Sequence, residues 1–413
     1  QRQMCIRDRL IGGAFETQRY VNFQSRQTLY RLILQSYEHP YQHNSLPWLV
    51  SEPRDLNLTR KISNMVKDYR FCGRVSILAQ AETETLFQVL DQSVQVLMQQ
   101  LSVSYVDALI ETGDNLLSQS VHVEDGKPNP EQTAALTKLY QTIDLKQLDA
   151  ETIRRALQLA LLKAIHNDHV DPNHQMTPDS IGLLTAYLIA KLVGSTTDLS
   201  ILDIAVGTGN LLTTVINQLQ TDRPRPIQGY GVDNDDNQLA IAAMSMDLQR
   251  SAVELFHQDA IDSLVMPKTT VVIGDLPVGY YPLDDRVQGF QTKATNGHSY
   301  IHHLMMEQAM AHLLPGGWGV FLVPTTIFQS QESQGLLKWM STAAYLQGLL
   351  NLPTNLFLDE KSRKSIVVLQ KHGQRAHQAG KVLLGVFPSF EDQRAFQAFT
   401  AQIDAWVDQN IIR

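Results

Sequence analysis

The chain has 413 residues, 43% of them hydrophobic, and only two cysteines, Cys5 and Cys72. That is enough to bury the cores of two folded domains plus a further piece, and too few thiols for a disulfide framework or a cysteine-based metal site. Residues 1–80 hold 12 of the 34 Lys+Arg but only 6 of the 42 Asp+Glu, so the net charge of −8 belongs to an acidic body, which argues against strong free-standing duplex binding. No apolar run approaches the roughly 18 residues needed to cross a bilayer, so no membrane partner is expected and a cytoplasmic location fits.

Residues 1–9 have the look of a translated artefact, and residues 10–78 share neither charge nor pattern with the rest of the chain. The segment 1–80 is therefore expected to be artefactual or fused, with no function attached. Helical order begins near Thr83, where Leu86, Leu90, Val94, Leu97 and Leu101 recur three and four apart on one face. Tyr105, Leu109, Leu116 and Leu117 continue it, with Gly113 expected to cap a turn. Gly126-Lys-Pro-Asn-Pro130 interrupts, and helices resume over 131–140 and 150–166. Residues 81–170 thus predict a small all-helical domain.

From Thr177-Pro178, which opens a helix over 179–192, the pattern changes. Strands are predicted at 200–204, 228–232, 253–257, 270–273, 319–323, 345–351 and 365–370, with helices between most of them. Such alternation predicts an α/β fold with a Rossmann-like, doubly wound, mostly parallel seven-stranded sheet. A strand and a helix over 373–413, the helix at 393–411, are expected as an extension. His166, His169 and His174 lack a carboxylate at ligating spacing, so no metal site is expected. His302 and His303 are expected to divide between core and surface. The polar stretch from Leu283 to Thr295 is a candidate lid.

In an open α/β sheet the ligand lies beyond the carboxyl ends of the strands. The first strand runs through Asp203 and Ala205 into Gly207-Thr208-Gly209-Asn210. A Gly-x-Gly turn there lets backbone N–H groups approach a small ligand with no Cβ in the way. The second strand ends at Asp233-Asn234, an acid suited to a pair of ribose hydroxyls, and the third at Asp259-Ala260, where an adenine amino group could be received. Any one of these acids could instead be a helix cap, but three at successive strand ends favour ligand binding.

The loop Asp-x-Ala-x-Gly-x-Gly-Asn resembles the cofactor loop of class I S-adenosylmethionine-dependent methyltransferases. At the fourth strand end, Asp275-Leu-Pro277-Val resembles the Asn/Asp-Pro-Pro-aromatic motif of amino-methyltransferases, with Leu276 in place of the first proline and Val278 in place of the stacking aromatic. Tyr280 or Tyr281, displaced by two residues or more, is the candidate replacement. In that family the polar side chain and a backbone carbonyl grip an exocyclic amine, and the aromatic stacks on a flipped base. His174-Gln-Met-Thr177-Pro, residues 313–324, 352–357 and 365–371 resemble the modification subunits of type I restriction systems.

The resemblance implies a catalytic domain over 171–372 that uses S-adenosylmethionine. Its cofactor contacts would be Thr177, Asp203, Ala205, Gly207, Thr208, Gly209, Asn210, Asp233, Asn234, Asp259 and Ala260. Asp275, Pro277 and Tyr280 would face the acceptor. It also implies N6-adenine methylation with nucleic acid, DNA foremost, as partner, in a stand-alone relative without a recognition domain. RNA, a nucleotide or a protein amide as acceptor, or a silent cofactor-binding regulatory module, are the alternatives.

Overall fold

The computed structural model describes residues 19–22, 77–167, 176–195, 198–221, 223–330, 332–357, 360–373 and 376–411. Most of the segment 1–80 and the stretch carrying His169 and His174 lie outside these residues. No helix among them is long and apolar enough to cross a membrane.

In chain order the elements are β1 (Arg19–Asn22), helices α1 (Ile77–Leu101), α2 (Tyr105–Ser118), α3 (Pro130–Tyr140), α4 (Ala150–Asn167) and α5 (Asp179–Val193), then β2 (Ser200–Asp203), α6 (Asn210–Gln220), β3 (Gln228–Asp233), α7 (Asp236–Gln249), β4 (Val253–His257) and β5 (Thr269–Asp275). There follow α8 (Ile301–His312), β6 (Leu313–Pro324), α9 (Ser333–Ala343), β7 (Ala344–Asn351), β8 (Lys364–Lys371), β9 (Lys381–Val386) and α10 (Gln393–Asn410). Two compact units result. One comprises Arg70–Ala186 and Ser200–Asp259; the other holds Tyr187–Leu199, Ala260–Arg413 and the β1 strand.

In the first unit the predicted apolar stripe is buried: Leu86, Leu90, Val94 and Leu97 join Leu109, Leu157 and the α7 residues Ile241, Met244 and Leu248 in one core. Local chemistry sets the helix starts. Ser104 caps α2 by accepting from the Asp107 N–H at 3.1 Å, Asn129 caps α3 just before Pro130, and Asp149 accepts from the Thr152 N–H at 2.7 Å. Gly113 caps nothing. It lies inside α2, where a Cβ would overlap the Met244 side chain, so it serves close helix packing. The strands β2, β3 and β4 pair in parallel, Ile201 opposite Gly229 and Gly231 opposite Leu255.

In the second unit β5 and β6 are parallel, β8 runs antiparallel between β6 and β7, and β9 lies parallel to β7 with β1 antiparallel at its outer side. All seven predicted strands form. The strand number is nine among the described residues, because β9 pairs with β7 instead of standing apart as an extension and β1 pairs with β9. Two additional edges satisfied by main-chain hydrogen bonds explain the difference from seven.

Candidate functional site

The Gly207–Gly209 turn is built from within the first unit. Asp203 ends β2 fully buried, and its Oδ1 accepts from the Ala205 N–H at 3.1 Å, fixing the start of the turn from beneath. The Val206 N–H reaches the Val232 carbonyl at 2.9 Å. Gly207 and Gly209 have φ of +50° and +81°, values that favour glycine. A Cβ on Gly209 would also stand 2.7 Å from Met246 Cε. Above Gly207 there is room: a Cβ would meet nothing closer than Gln238 Oε1 at 3.7 Å. Ala205, Gly207 and Thr208 form the partly exposed rim.

Asp233, at the end of β3, faces this turn. Its Oδ2 accepts from the Gly207 N–H at 2.8 Å and its Oδ1 from the Asp235 N–H at 3.1 Å. Each oxygen carries one backbone donor and keeps lone-pair capacity for another. A half-buried carboxylate so held, next to an open glycine turn, fits the vicinal hydroxyls of a nucleoside, and S-adenosylmethionine is such a nucleoside. Asn234 is exposed beside it. Asp259 is half-buried two residues beyond β4, whose following Gln258 N–H is tied to the Asp233 carbonyl at 2.9 Å. Ala260 is buried and begins a segment of the second unit.

Asn210 and Thr177 are drawn together, but not by offering free groups. Asn210 Nδ2 donates to the Thr177 carbonyl at 2.7 Å, and its Oδ1 accepts from Arg154 at 2.8 Å. Arg154 is the residue that sequence patterning misses. It rises from α4 with a side chain 2% exposed, donates to both oxygens of Asp179 at 2.8 and 2.9 Å, and makes a further pair of bonds to Glu151. Burial would lower the Arg154 pKa, yet Asp179 and Glu151 hold it well above its usual value. Burial likewise pushes Glu151 up, and Arg154 and Arg155 overcome that and pull it down to about 2. One guanidinium thus ties the helical segment, the start of α5 and the residue ending the Gly-x-Gly turn. Five residues into α4 and beside Glu151 and Arg155, Arg154 reads in the sequence as an ordinary surface charge, and its partner 25 residues away carries no mark either.

The acceptor candidates lie in the second unit. The Asp275 carboxylate forms an ion pair with Lys364, the first residue of β8, both side chains being largely buried. Leu276 is fully buried and its N–H continues the β5–β6 ladder to the Leu322 carbonyl at 3.1 Å, a bond that a proline there could not make. Pro277, Val278 and Tyr280 are exposed. Tyr280 stacks on Tyr300 with centroids 4.6 Å apart, and the backbone bonds Tyr281 N–H to Ser299 O and Ile301 N–H to Gly279 O lock the two segments together. Tyr300 in turn packs against His302 and His303 at 5.1 and 5.2 Å.

Neither histidine reaches the surface, contrary to the expected split, because both pack at the head of α8 against Tyr300 and each other. Burial, reinforced by His303, lowers the His302 pKa to about 3, and burial lowers His303 to about 4. The stretch after Leu283 is fastened: Glu307 of α8 accepts from the Gln291 and Thr292 N–H groups at 3.0 and 2.8 Å.

Two family models match the chain. One is described as N-6 DNA Methylase, over residues 173–386, and the other as the YtxK N-terminal helical domain, over 84–165. The uncharacterized protein YtxK of Bacillus subtilis (strain 168) is 38% identical over 321 residues, 78% of this chain and 96% of that protein. A Listeria monocytogenes crystal structure, with the provisional description of a class I S-adenosylmethionine-dependent methyltransferase, is 39% identical with a TM-score of 0.73, covering 79% of this chain and 99% of that one. The methyltransferase subunit of a type I restriction-modification system from Streptococcus thermophilus is 12% identical at a TM-score of 0.51, covering 94% of each chain, a likeness of fold alone.

Proposed function

Because the chain belongs to the N-6 DNA methylase family, whose members use S-adenosylmethionine, we propose that it methylates the exocyclic amine of adenine in DNA. The carrying observation is the Gly207–Asp233 cradle: an open glycine turn whose N–H is held by a strand-end carboxylate with lone pairs to spare. S-adenosylmethionine, when bound, supplies a methyl group on a sulfonium for direct displacement by a nucleophile.

This chain's residues supply placement and charge. Asp233 would hold the ribose hydroxyls, and Ala205, Gly207 and Thr208 would line the rim for the amino-acid portion. Asp259 with Ala260 is assigned to the adenine of the cofactor. Asp203 and Gly209 shape the turn, while Asn210, Thr177 and Arg154 position it. Asp275 accepts from the acceptor amine, Pro277 fixes the backbone after it, and the exposed Tyr280, backed by Tyr300, presents a flat face for a base. Burial holds His302 and His303 neutral near neutral pH.

Calorimetric titration with S-adenosylmethionine should show micromolar-range binding that Asp233→Ala abolishes; no binding by the wild type at millimolar cofactor overturns the reading. Labelled-methyl transfer to DNA, RNA, nucleotides and proteins then identifies the acceptor, with Asp275→Ala expected to lose transfer and keep cofactor. A second reading, a silent cofactor-binding module, is favoured by one observation, the Lys364 ammonium already seated on Asp275. Cofactor binding without transfer to any acceptor would establish it.

A further inference from the structure

Asp275 and Lys364 come from strands that are not neighbours. Asp275 and Ile366 both lie opposite Leu322 of β6, one on each side, and Lys364 lies opposite Pro324. Because β8 is antiparallel, its first residue falls at the end of the strands where β5 finishes. From there the four-carbon stem of a lysine reaches past β6 to the carboxylate. The two side chains are 13% and 14% exposed, so the pair is sheltered without being sealed. His302, whose pKa is lowered chiefly by burial and in part by Lys364, and whose ring meets the Pro277 backbone, lies beside it.

A carboxylate holding an ammonium is a poorer acceptor for a neutral amine. An amine that pulled it away would strand a sheltered cation, which is costly unless something replaces the lost partner. We propose that Lys364 determines which acceptor this site takes. The acceptor edge enters the Asp275–Lys364 pair, giving an N–H to the carboxylate and a lone pair to the ammonium. The adenine amino group with a ring nitrogen beside it has that edge. A protonated alkylamine does not: it offers no lone pair and is repelled by Lys364. With Val278 where a stacking aromatic would stand, this hydrogen-bonding edge carries more of the selection. The proposal rests on the reading of Asp275 as the amine-gripping residue.

The test uses random-sequence oligonucleotide pools containing adenine, 1-deazaadenine or 7-deazaadenine, with labelled S-adenosylmethionine and the full chain. Wild-type kcat/KM should fall about 10- to 100-fold for one of the two deaza bases, the worth of one charge-assisted hydrogen bond. Lys364→Met should transfer poorly to all three and lose that discrimination. Deaza substitution alters the base's own reactivity equally for both proteins, so the ratio isolates the lysine. Lys364→Gln, uncharged but still a donor, should keep the discrimination at a reduced rate, and serves if the methionine variant fails to fold. Equal wild-type rates on all three bases, or undiminished discrimination in Lys364→Met, overturn the role of Lys364 while methyl transfer to DNA stands. A wild type that binds cofactor and transfers to none of the bases overturns the adenine reading and this inference with it.

Discussion

Replacing Arg154 by methionine tests whether the helical segment positions the proposed donor turn. The guanidinium makes five hydrogen bonds to Glu151, Asp179 and Asn210, all between 2.8 and 2.9 Å, with its side chain 2% and that of Asp179 4% exposed. Methionine preserves the volume and leaves the Asp179 carboxylate buried without its cation. Breaking a buried pair in this way costs about 3–5 kcal/mol. At about 2–4 °C per kcal/mol, the melting temperature should drop by roughly 6–20 °C. Asn210 loses its Oδ1 partner but keeps Thr177, so cofactor affinity should weaken about tenfold, the worth of one hydrogen bond. Scanning calorimetry and cofactor titration read the two effects separately. Adding Asp179→Asn removes the stranded charge and should restore part of the stability, a non-additivity that marks direct coupling. An unchanged melting temperature, or a double variant no more stable than the single one, refutes the reasoning.

Three further outcomes rest on the same geometry. Asp233→Asn should weaken S-adenosylmethionine about 10- to 100-fold with little change in melting temperature, since it removes charge-assisted bonds at a half-buried site; unaltered titration would exclude Asp233 from the cradle. Gly209→Ala should destabilise by about 1–2 kcal/mol, because alanine resists a left-handed backbone and its Cβ presses on the flexible end of Met246; denaturant melts check this. For pH, His302 and His303 titrate in the fold at about 3 and about 4, below the usual 6.5. Below pH 6.5 the unfolded chain therefore binds protons that the folded chain refuses, so their contribution to stability is full above 6.5 and lost as pH falls toward 4 and 3. Glu151, held at about 2, adds its own loss only below about 4.5. Urea midpoints at pH 7, 6 and 5 should fall, and glutamine at both histidines should flatten the slope.

Much of the proposed donor side is legible in the sequence because it is local. The strand ending in Asp203 and the Gly-x-Gly turn lie within ten residues, and the Asp233 acid sits at the end of the next strand. Parallel α/β winding brings successive strand ends to one edge, so chain order translates into a site. The helices of residues 77–167 are equally readable, since their apolar spacing is the surface they bury. Gly113 shows where this stops: a glycine in a helical run looks like a cap, and only Met244 of α7 packed against it shows the real requirement. The histidine pair at 302–303 is similar, since adjacent residues on a helix usually point apart and Tyr300 packing draws both inward.

By itself, then, the sequence determined the strand–helix alternation, the turn chemistry and the carboxylates at the strand ends, all of which arise from periodicity and backbone sterics over a few residues. The tertiary structure alone decided that Arg154 grips Asp179 and Asn210, that β9 pairs with β7, and that Lys364 occupies Asp275 from 89 residues away. Those pairings depend on strand register and direction, and the antiparallel run of β8 is what carries a lysine to the Asp275 carboxylate. A charge in the sequence shows that a partner is needed; only the packed backbone, through the cost of leaving that charge sheltered and unpaired, selects which one it is.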